Sequence, residues 1–530
     1  MRLNYYYNFK NTIRFFINIE NLNFSSVDIQ KKSWSAPFKF RIRKTEKSFR
    51  TLKIPNIYNF KVAYDYYEKK LVELGYDFEN FEELDDHKRM SISYELGEFK
   101  ENSYDEWQLE DYNKLIMYDV LLRFDIKSFY DNIYTHYILK DETADIEIDK
   151  PLSHMNNGRT GGIIMGNYIS LYMAEFLSKK ISIMFQKKIE EENIKCEFSY
   201  FSDDFYIFTN KDGIEKVTNI FDSVLENFNL NKNEDKQKIY DYLLYNEQDK
   251  IEKYWKTITR KSKNQQYDQS KRIAIGKLQK NNNLSFTNQL IYRLNNLSEF
   301  KDKRVFIVNF FKSKFFRDIK YNLTYFNNYN YHQLLYLIRE YPEIVLYIDT
   351  ILDSFDKFQS EEFKNTILKF YENSLNRNFH DEQLYYFYLI KKLSSTNNAT
   401  SADINRKIIA SENHILISYY IKENLFNDEE LDVIKTYNDE SYWLEYYYLI
   451  LTDEVLYSDL QNSISKYLIP KKAINPEIID SYQKFYSINL TEKRNILLEF
   501  SEVKNELDEY FRKKHRIKEE SNIDKLDNVI

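Results

Sequence analysis

Turn formers are scarce in this chain: eight glycines and six prolines serve 530 residues. A sandwich or barrel of many short strands needs such residues at every reversal, so an all-β fold is excluded. Cysteine is nearly absent as well. The single thiol, Cys196, rules out an intrachain disulfide and a multi-cysteine zinc site, and it fits a reducing cytoplasm. No apolar run is long enough to cross a bilayer and no signal peptide is read, so no membrane partner is expected. Excess positive charge is missing too. A formal charge of −7 and a pI near 5.8 exclude a uniformly basic coat, leaving local patches for any contact with nucleic acid.

What is abundant is aromatic. With 48 Tyr and 39 Phe, the cores are expected to be ring-rich and many hydroxyls to lie near the surface. The length suits two or three domains.

Acidic chemistry concentrates at Tyr200-Phe201-Ser202-Asp203-Asp204-Phe205. The flanks, Cys196 to Tyr200 and Phe205 to Phe208, are β-prone, which predicts a tight hairpin with two adjacent carboxylates at its tip. Like charges side by side in a low dielectric raise each other's free energy, and a divalent cation with hard oxygen ligands is the usual compensator. A plain solvated turn is the alternative for this stretch alone. Upstream, Ile116 to Ile126 reads as a mostly apolar strand reaching Asp125, a position suited to presenting a metal ligand or a helix cap. A helix is expected to begin near Tyr134 to His136.

Between the two acidic sites lies the glycine-bearing loop Gly161-Gly162-Ile163-Ile164-Met165-Gly166-Asn167, followed by an amphipathic helix from Tyr168 to Glu191. Glycine there lets backbone approach a ligand closely. Further helices are predicted over Lys61–Leu74 and Gly213–Asn227, while Glu79–Tyr112 is acidic and carries little pattern. Lys39 to Pro55 suggests two short strands around a polar turn. Arg43 and Arg50 flank that turn, and a guanidinium fork there matches phosphate oxygens bidentately. Lys253–Lys280 interleaves basic residues with Tyr254, Trp255 and Tyr267, which suits either a nucleic-acid strand or a charged linker. From about Asn283 to Phe511 only helices are read, in a degenerate array without a strict period. Thr400 and Asp403 form a candidate capping pair, and the charge-rich end from Lys513 is expected to fray.

In this order the motifs resemble the palm of reverse transcriptases over roughly residues 35 to 240. Phe124-Asp125-Ile126-Lys127-Ser128-Phe129-Tyr130 resembles their first palm motif, Gly162 to Ser170 the second, and Phe201-Ser202-Asp203-Asp204 the aromatic-x-Asp-Asp motif. Asn233-Glu234-Asp235-Lys236 resembles the motif whose lysine assists the leaving pyrophosphate. The resemblance implies an α+β fingers-and-palm domain over 1–280, an all-α helical-repeat domain over 281–515 in place of the usual thumb, and a charged tail over 516–530. It implies two Mg²⁺ ions, with Mn²⁺ as the substitute, held by Asp125, Asp203, Asp204 and the Ile126 carbonyl. Catalysis would fall to Asp125, Asp203, Asp204 and Lys236. Arg43, Arg50, Phe129, Tyr130 and Gly166 would face the dNTP, with the Tyr130 ring excluding a 2′-hydroxyl. Ile164-Met165 stands where many such enzymes carry Pro-Gln, which places ordinary templated copying in question.

A palm followed by helices looks like the bacterial antiphage group, the abortive-infection and related defence-associated enzymes. That likeness implies a cytoplasmic homo-oligomer making DNA without a template from a protein tyrosine, the product staying covalently attached. Tyr5, Tyr6 and Tyr7 are the guesses for that tyrosine. Three alternatives stand beside it: copying of a partner noncoding RNA at the same site, a non-enzymatic helical scaffold with a relic palm, and another Mg²⁺-dependent phosphoryl-transfer enzyme such as a nuclease or cyclic-nucleotide synthase.

Overall fold

The computed structural model describes residues 1–9, 11–80, 84–100, 102–247, 290–312, 328–352, 356–393 and 401–527. The basic segment Lys253–Lys280 and Thr400 lie outside the described residues. Two compact units emerge. The first comprises Met1–Lys39, Leu52–Asn246 and Lys435–Leu498; the second comprises Phe40–Thr51, Glu247–Ile434 and Glu499–Ile530. This division cuts across the expected boundary near residue 280. Lys435–Leu498 joins the first unit because it packs on the N-terminal segment: Ile17 bridges Leu497, and the Tyr58 and Tyr482 rings stack at 3.9 Å.

Lys39–Pro55 folds as the expected hairpin, β1 (Phe38–Arg43) and β2 (Phe49–Ile54). A short pair, β3 (Ile92–Ser93) and β4 (Glu98–Phe99), follows. The principal sheet is antiparallel in the order β6-β7-β5-β8, from β5 (Val120–Asp125), β6 (Cys196–Phe201), β7 (Asp204–Thr209) and β8 (Lys238–Tyr240).

Its apolar face follows from period-two alternation. Leu122 lies opposite Ile207 and Phe124 opposite Phe205, all fully buried. Phe124 and Phe205 reach Phe221 at ring distances of 5.2 and 5.0 Å, and Phe185 reaches it at 5.6 Å. The same alternation sends Arg123, Asp125, Asp204 and Tyr206 to the other face. Burying the even-numbered residues of β5 therefore positions Asp125.

The helices of the first unit used below are α1 (Leu3–Tyr7), α2 (Ile57–Glu73), α3 (Asn102–Met117), α4 (Phe129–Asn132), α5 (Tyr168–Glu191) and α6 (Ile214–Glu226). α5 has the expected bounds, with the Asn167 side chain accepting from the Ser170 amide. α2 and α6 lie within a few residues of expectation. The predicted strand from Ile116 is shorter than read: Ile116 and Met117 are the exposed last turn of α3, a helix that begins inside the low-pattern stretch. After Asp125 come the single turn α4 and 3₁₀ turns at Thr135–Tyr137 and Lys140–Glu142, not a full helix beginning near Tyr134 to His136.

In the second unit every described helix or strand from Leu290 onward is helical. Successive helices Glu361–Leu375, α7 (His380–Leu393), Ala402–Ser411 and His414–Lys422 pack on near neighbours in sequence, as an array does. Ser401 caps its helix: Oγ accepts from the Ile404 amide at 3.2 Å. The charged end does not fray where described, since α8 (Phe500–Asp527) runs through it. Among the described residues no helix is long and apolar enough to cross a membrane.

Candidate active site

The β5–β7 register sets Asp125 directly opposite Asp204. β6 and β7 are joined only by Ser202 and Asp203, so Asp203 sits in the turn itself. Ser202 has φ +56°, a left-handed conformation that glycine usually supplies in such turns. Two bonds hold it: Ser178 Oγ of α5 donates to the Ser202 carbonyl at 3.3 Å, and the Ile126 amide donates to the Asp203 carbonyl at 3.0 Å. The end of β5 and the acidic turn are thereby tied as one piece.

Each carboxylate has a different environment. Asp125 is buried, with Oδ1 accepting from Asn233 Nδ2 at 2.9 Å and Oδ2 from Lys236 Nζ at 2.6 Å. Asn233 also donates its amide to the Asp125 carbonyl at 2.8 Å, so the segment through Lys236 is laced to β5. Asp204 Oδ2 accepts from Arg123 Nη2 at 3.0 Å. Asp203 has no ion pair or hydrogen bond to another side chain among the described residues. Burial first, then the charges of Asp204 and Asp125, pushes its pKa up to about 6.

Asn233 and Arg123 are therefore site residues that sequence reasoning passed over. Asn233 lay inside a motif read only for its lysine. Arg123 carried the period-two signal, two residues before Asp125 on the same face.

Among the described residues no three carboxylate, imidazole or thiolate groups stand at metal-holding spacing. The reason is visible: Lys236 and Asn233 hold Asp125, and Arg123 holds Asp204. The donor set nonetheless fits a divalent ion. Hard carboxylate oxygens are offered at two paired strand ends and in the turn before one of them, and the turn carboxylate makes no ion pair among the described residues, the charge of Lys236 acting on it least of the causes.

The remaining predicted residues divide. Ile126 is fully buried beside Asp125. Tyr130 is half-buried, its carbonyl accepting from Ile163 of the glycine loop at 2.8 Å. Gly166 has φ +127°, its carbonyl accepts from Phe9, and an added Cβ would lie 3.6 Å from Leu52. Phe129, expected to face the dNTP, is 2% exposed and packs in the core.

Tyr5, Tyr6 and Tyr7 are corrected. They form α1 and are buried, and Tyr7 Oη donates to the Pro55 carbonyl at 2.6 Å. Tyr6 donates to Glu79, and burial raises the pKa of both Tyr6 and Tyr7. A phenol that is enclosed and holds its proton does not serve as a primer.

In the second unit, Arg43 is not the free phosphate ligand expected. Its guanidinium donates to Glu382 at 2.6 Å and to the Glu340 carbonyl at 3.1 Å, and it lies 4.2 Å from the Phe300 ring centre. Arg50 is exposed and makes no hydrogen bond or ion pair among the described residues.

No family model and no curated protein matches the chain. Solved structures of telomerase are similar to it at a low level. An apo telomerase from Candida tropicalis truncated from its C-terminal domain shares 17% identity over 39% of this chain and 50% of that one, with a TM-score of 0.28. Telomerase from Candida albicans in complex with the TWJ fragment of telomeric RNA shares 12% over 77% and 65%, with a TM-score of 0.31. Another apo telomerase from Candida tropicalis gives 14%, 72%, 67% and 0.30. The chain thus spans half to two thirds of their length. Nothing in these comparisons points to a bacterial antiphage family. Likeness at this level leaves the chemistry to be read from the chain's own side chains.

Proposed function

We propose that the chain is a nucleotidyltransferase of reverse-transcriptase type, a DNA polymerase that adds dNTPs at Asp125, Asp203 and Asp204. One observation carries this reading: Asp125 is register-paired with Asp204, while Asp203 occupies the turn from β6 into β7 and makes no ion pair among the described residues. An acidic turn under such repulsion is costly unless it binds something positive.

Asp125 and Asp203, with the Ile126 carbonyl, would hold two Mg²⁺ ions, and Mn²⁺ would substitute. When bound, the ions supply a lowered pKa for the attacking hydroxyl and neutralise the triphosphate. The chain's own residues do the rest. Asn233 keeps the Asp125 carboxylate oriented after Lys236 leaves it. Lys236, freed from Asp125, neutralises the departing pyrophosphate. Arg123 holds Asp204 at the rim. The Tyr130 ring, on the turn that follows β5, screens the sugar against a 2′-hydroxyl.

The same reading extends to context. The order of a palm followed by a helical array is what the reading of a defence enzyme of the bacterial cytoplasm, working as a homo-oligomer, rests on, and the Ile164-Met165 departure is what favours extending DNA without a template. Its product would stay attached to a tyrosine other than Tyr5, Tyr6 and Tyr7. A partner noncoding RNA is the alternative source of sequence. The test is incubation of protein purified without nuclease with labelled dNTPs and Mg²⁺. Labelled DNA from wild type and none from Asp203→Asn is expected. Protease-sensitive retention of label would mark covalent attachment, and repeats matching a co-purified RNA would mark copying. Equal incorporation by both proteins refutes the site.

A scaffold with a relic palm is the second reading, and one observation favours it: both Asp125 oxygens already have donors. Unchanged phage protection by Asp203→Asn would support it.

A further inference from the structure

Lys39, Lys53 and Arg159 belong to the first unit, and their side chains make no ion pair or hydrogen bond among the described residues. Two of them face each other. Stepping along the hairpin from the bond between the Lys44 amide and the Ser48 carbonyl, 2.8 Å, the register places Lys39 directly opposite Lys53. Like charges opposite one another on adjacent strands are destabilising, and among the described residues neither makes an ion pair with a carboxylate.

Lys53 is also tied to the glycine loop. Its amide donates to the Met165 carbonyl at 3.3 Å, and neighbouring Leu52 closes against Gly166. Arg159 lies just before the same loop, two residues from Gly161. Burial, together with the charges of Arg159 and Lys39 and against that of Asp131, lowers the Lys53 pKa from its ordinary value. On its other side the loop meets the turn of Tyr130 and Asp131: Ile163 donates to the Tyr130 carbonyl, and an added Cβ on Gly162 would lie 2.9 Å from the Asp131 carbonyl oxygen. The loop is thus flanked by a basic cluster, opposed at Lys53 by the charge of Asp131, and by the candidate sugar screen.

We propose that Lys39, Lys53 and Arg159 grip the phosphodiester backbone of a single-stranded nucleic acid lying along the glycine loop. Lys39 and Arg159 are exposed and come from separate elements, an open track rather than an enclosed cradle for one triphosphate. What the strand is for rests on the polymerase reading; that it binds does not.

The test titrates full-length protein, in chelator and without nucleotide, against a labelled single-stranded DNA oligonucleotide, read by anisotropy over a range of salt. Each lost contact should make the log-log salt slope shallower by about 0.7, so Lys39→Gln/Lys53→Gln/Arg159→Gln should lose about 2 in slope and roughly tenfold or more in affinity. Because Lys53 is half-buried, the double variant Lys39→Gln/Arg159→Gln, altered only at exposed positions, guards against misfolding and should lose about 1.4. Unchanged slopes in both variants overturn the proposal. So does unchanged strand affinity with weakened dATP binding, which would assign these cations to a triphosphate. Asp203→Asn should bind the strand as wild type does, so failure of catalysis and failure of the grip read out separately.

Discussion

Lys236 Nζ lies 2.6 Å from Asp125 Oδ2, on the carboxylate that the proposed chemistry needs for a metal ion. The ammonium occupies the position of a cation and must leave for one to bind. It is more than half exposed, so leaving carries little desolvation cost. The pair is a built-in competitor at the site.

Removing that competitor should separate binding from turnover. In Lys236→Ala the divalent-ion concentration for half-maximal activity should fall, while kcat drops by about a hundredfold through loss of leaving-group neutralisation. Metal titration of the steady-state rate checks both. A higher metal requirement with unchanged kcat would show that Lys236 only supports Asp125.

Asp203 makes stability depend on pH. Its pKa in the folded chain is pushed up to about 6 from 3.8, so folding favours the protonated form. The stabilisation is complete below the unfolded value and is lost as pH rises through about 6. Metal-free wild type should lose roughly 1 kcal/mol across that window, a figure reduced for partial solvent screening. Asp203→Asn should remove that share of the loss, leaving the part due to Glu175 and Asp381, whose carboxyls burial also raises to about 7 and about 6. Chemical denaturation in chelator at pH 4 and pH 8 measures it, and an identical pH dependence in the variant would show that the turn carboxylate is well solvated.

Arg43 and Arg50, alike in sequence, should behave oppositely. Arg43→Ala leaves buried Glu382 with only its 3.5 Å ion pair to Arg377 and should cost about 3 kcal/mol in unfolding of the second unit. Arg50→Ala should leave stability within about 0.5 kcal/mol. If Arg50 contacts the triphosphate, its variant raises the KM for dNTP alone. Comparable destabilisation of both variants would contradict the environments described.

Tyr130→Ala should relax discrimination between dNTPs and NTPs, measured as the ratio of kcat/KM values for the two sugars. Unchanged selectivity in an active variant removes Tyr130 from the substrate.

The legible parts of this molecule were local. α5 showed its cap and its apolar stripe, and the acidic hairpin showed two ring-rich flanks around a short polar tip. Asp125 was legible because it ends an apolar run. What stayed hidden depends on distant partners. Arg43 looks like a solvated hairpin cation until Glu382, 339 residues on, comes against it. Asn233 acquires its role from Asp125, 108 residues before it. α3 was missed because its exposed last turn is apolar, which mimics the start of a strand. The assignment of Lys435–Leu498 to the first unit rests on contacts with the N-terminal segment and with Tyr58, and no periodicity reports those.

The most direct measurement of the central claim is Mn²⁺ binding followed by electron paramagnetic resonance in the presence of a dNTP. Wild type should take up about two ions per chain, and Asp125→Asn and Asp203→Asn should each lose that binding while remaining folded. Wild-type protein that binds no Mn²⁺ with the nucleotide present, or variants that bind it as wild type does, would contradict a metal-dependent polymerase site at Asp125, Asp203 and Asp204.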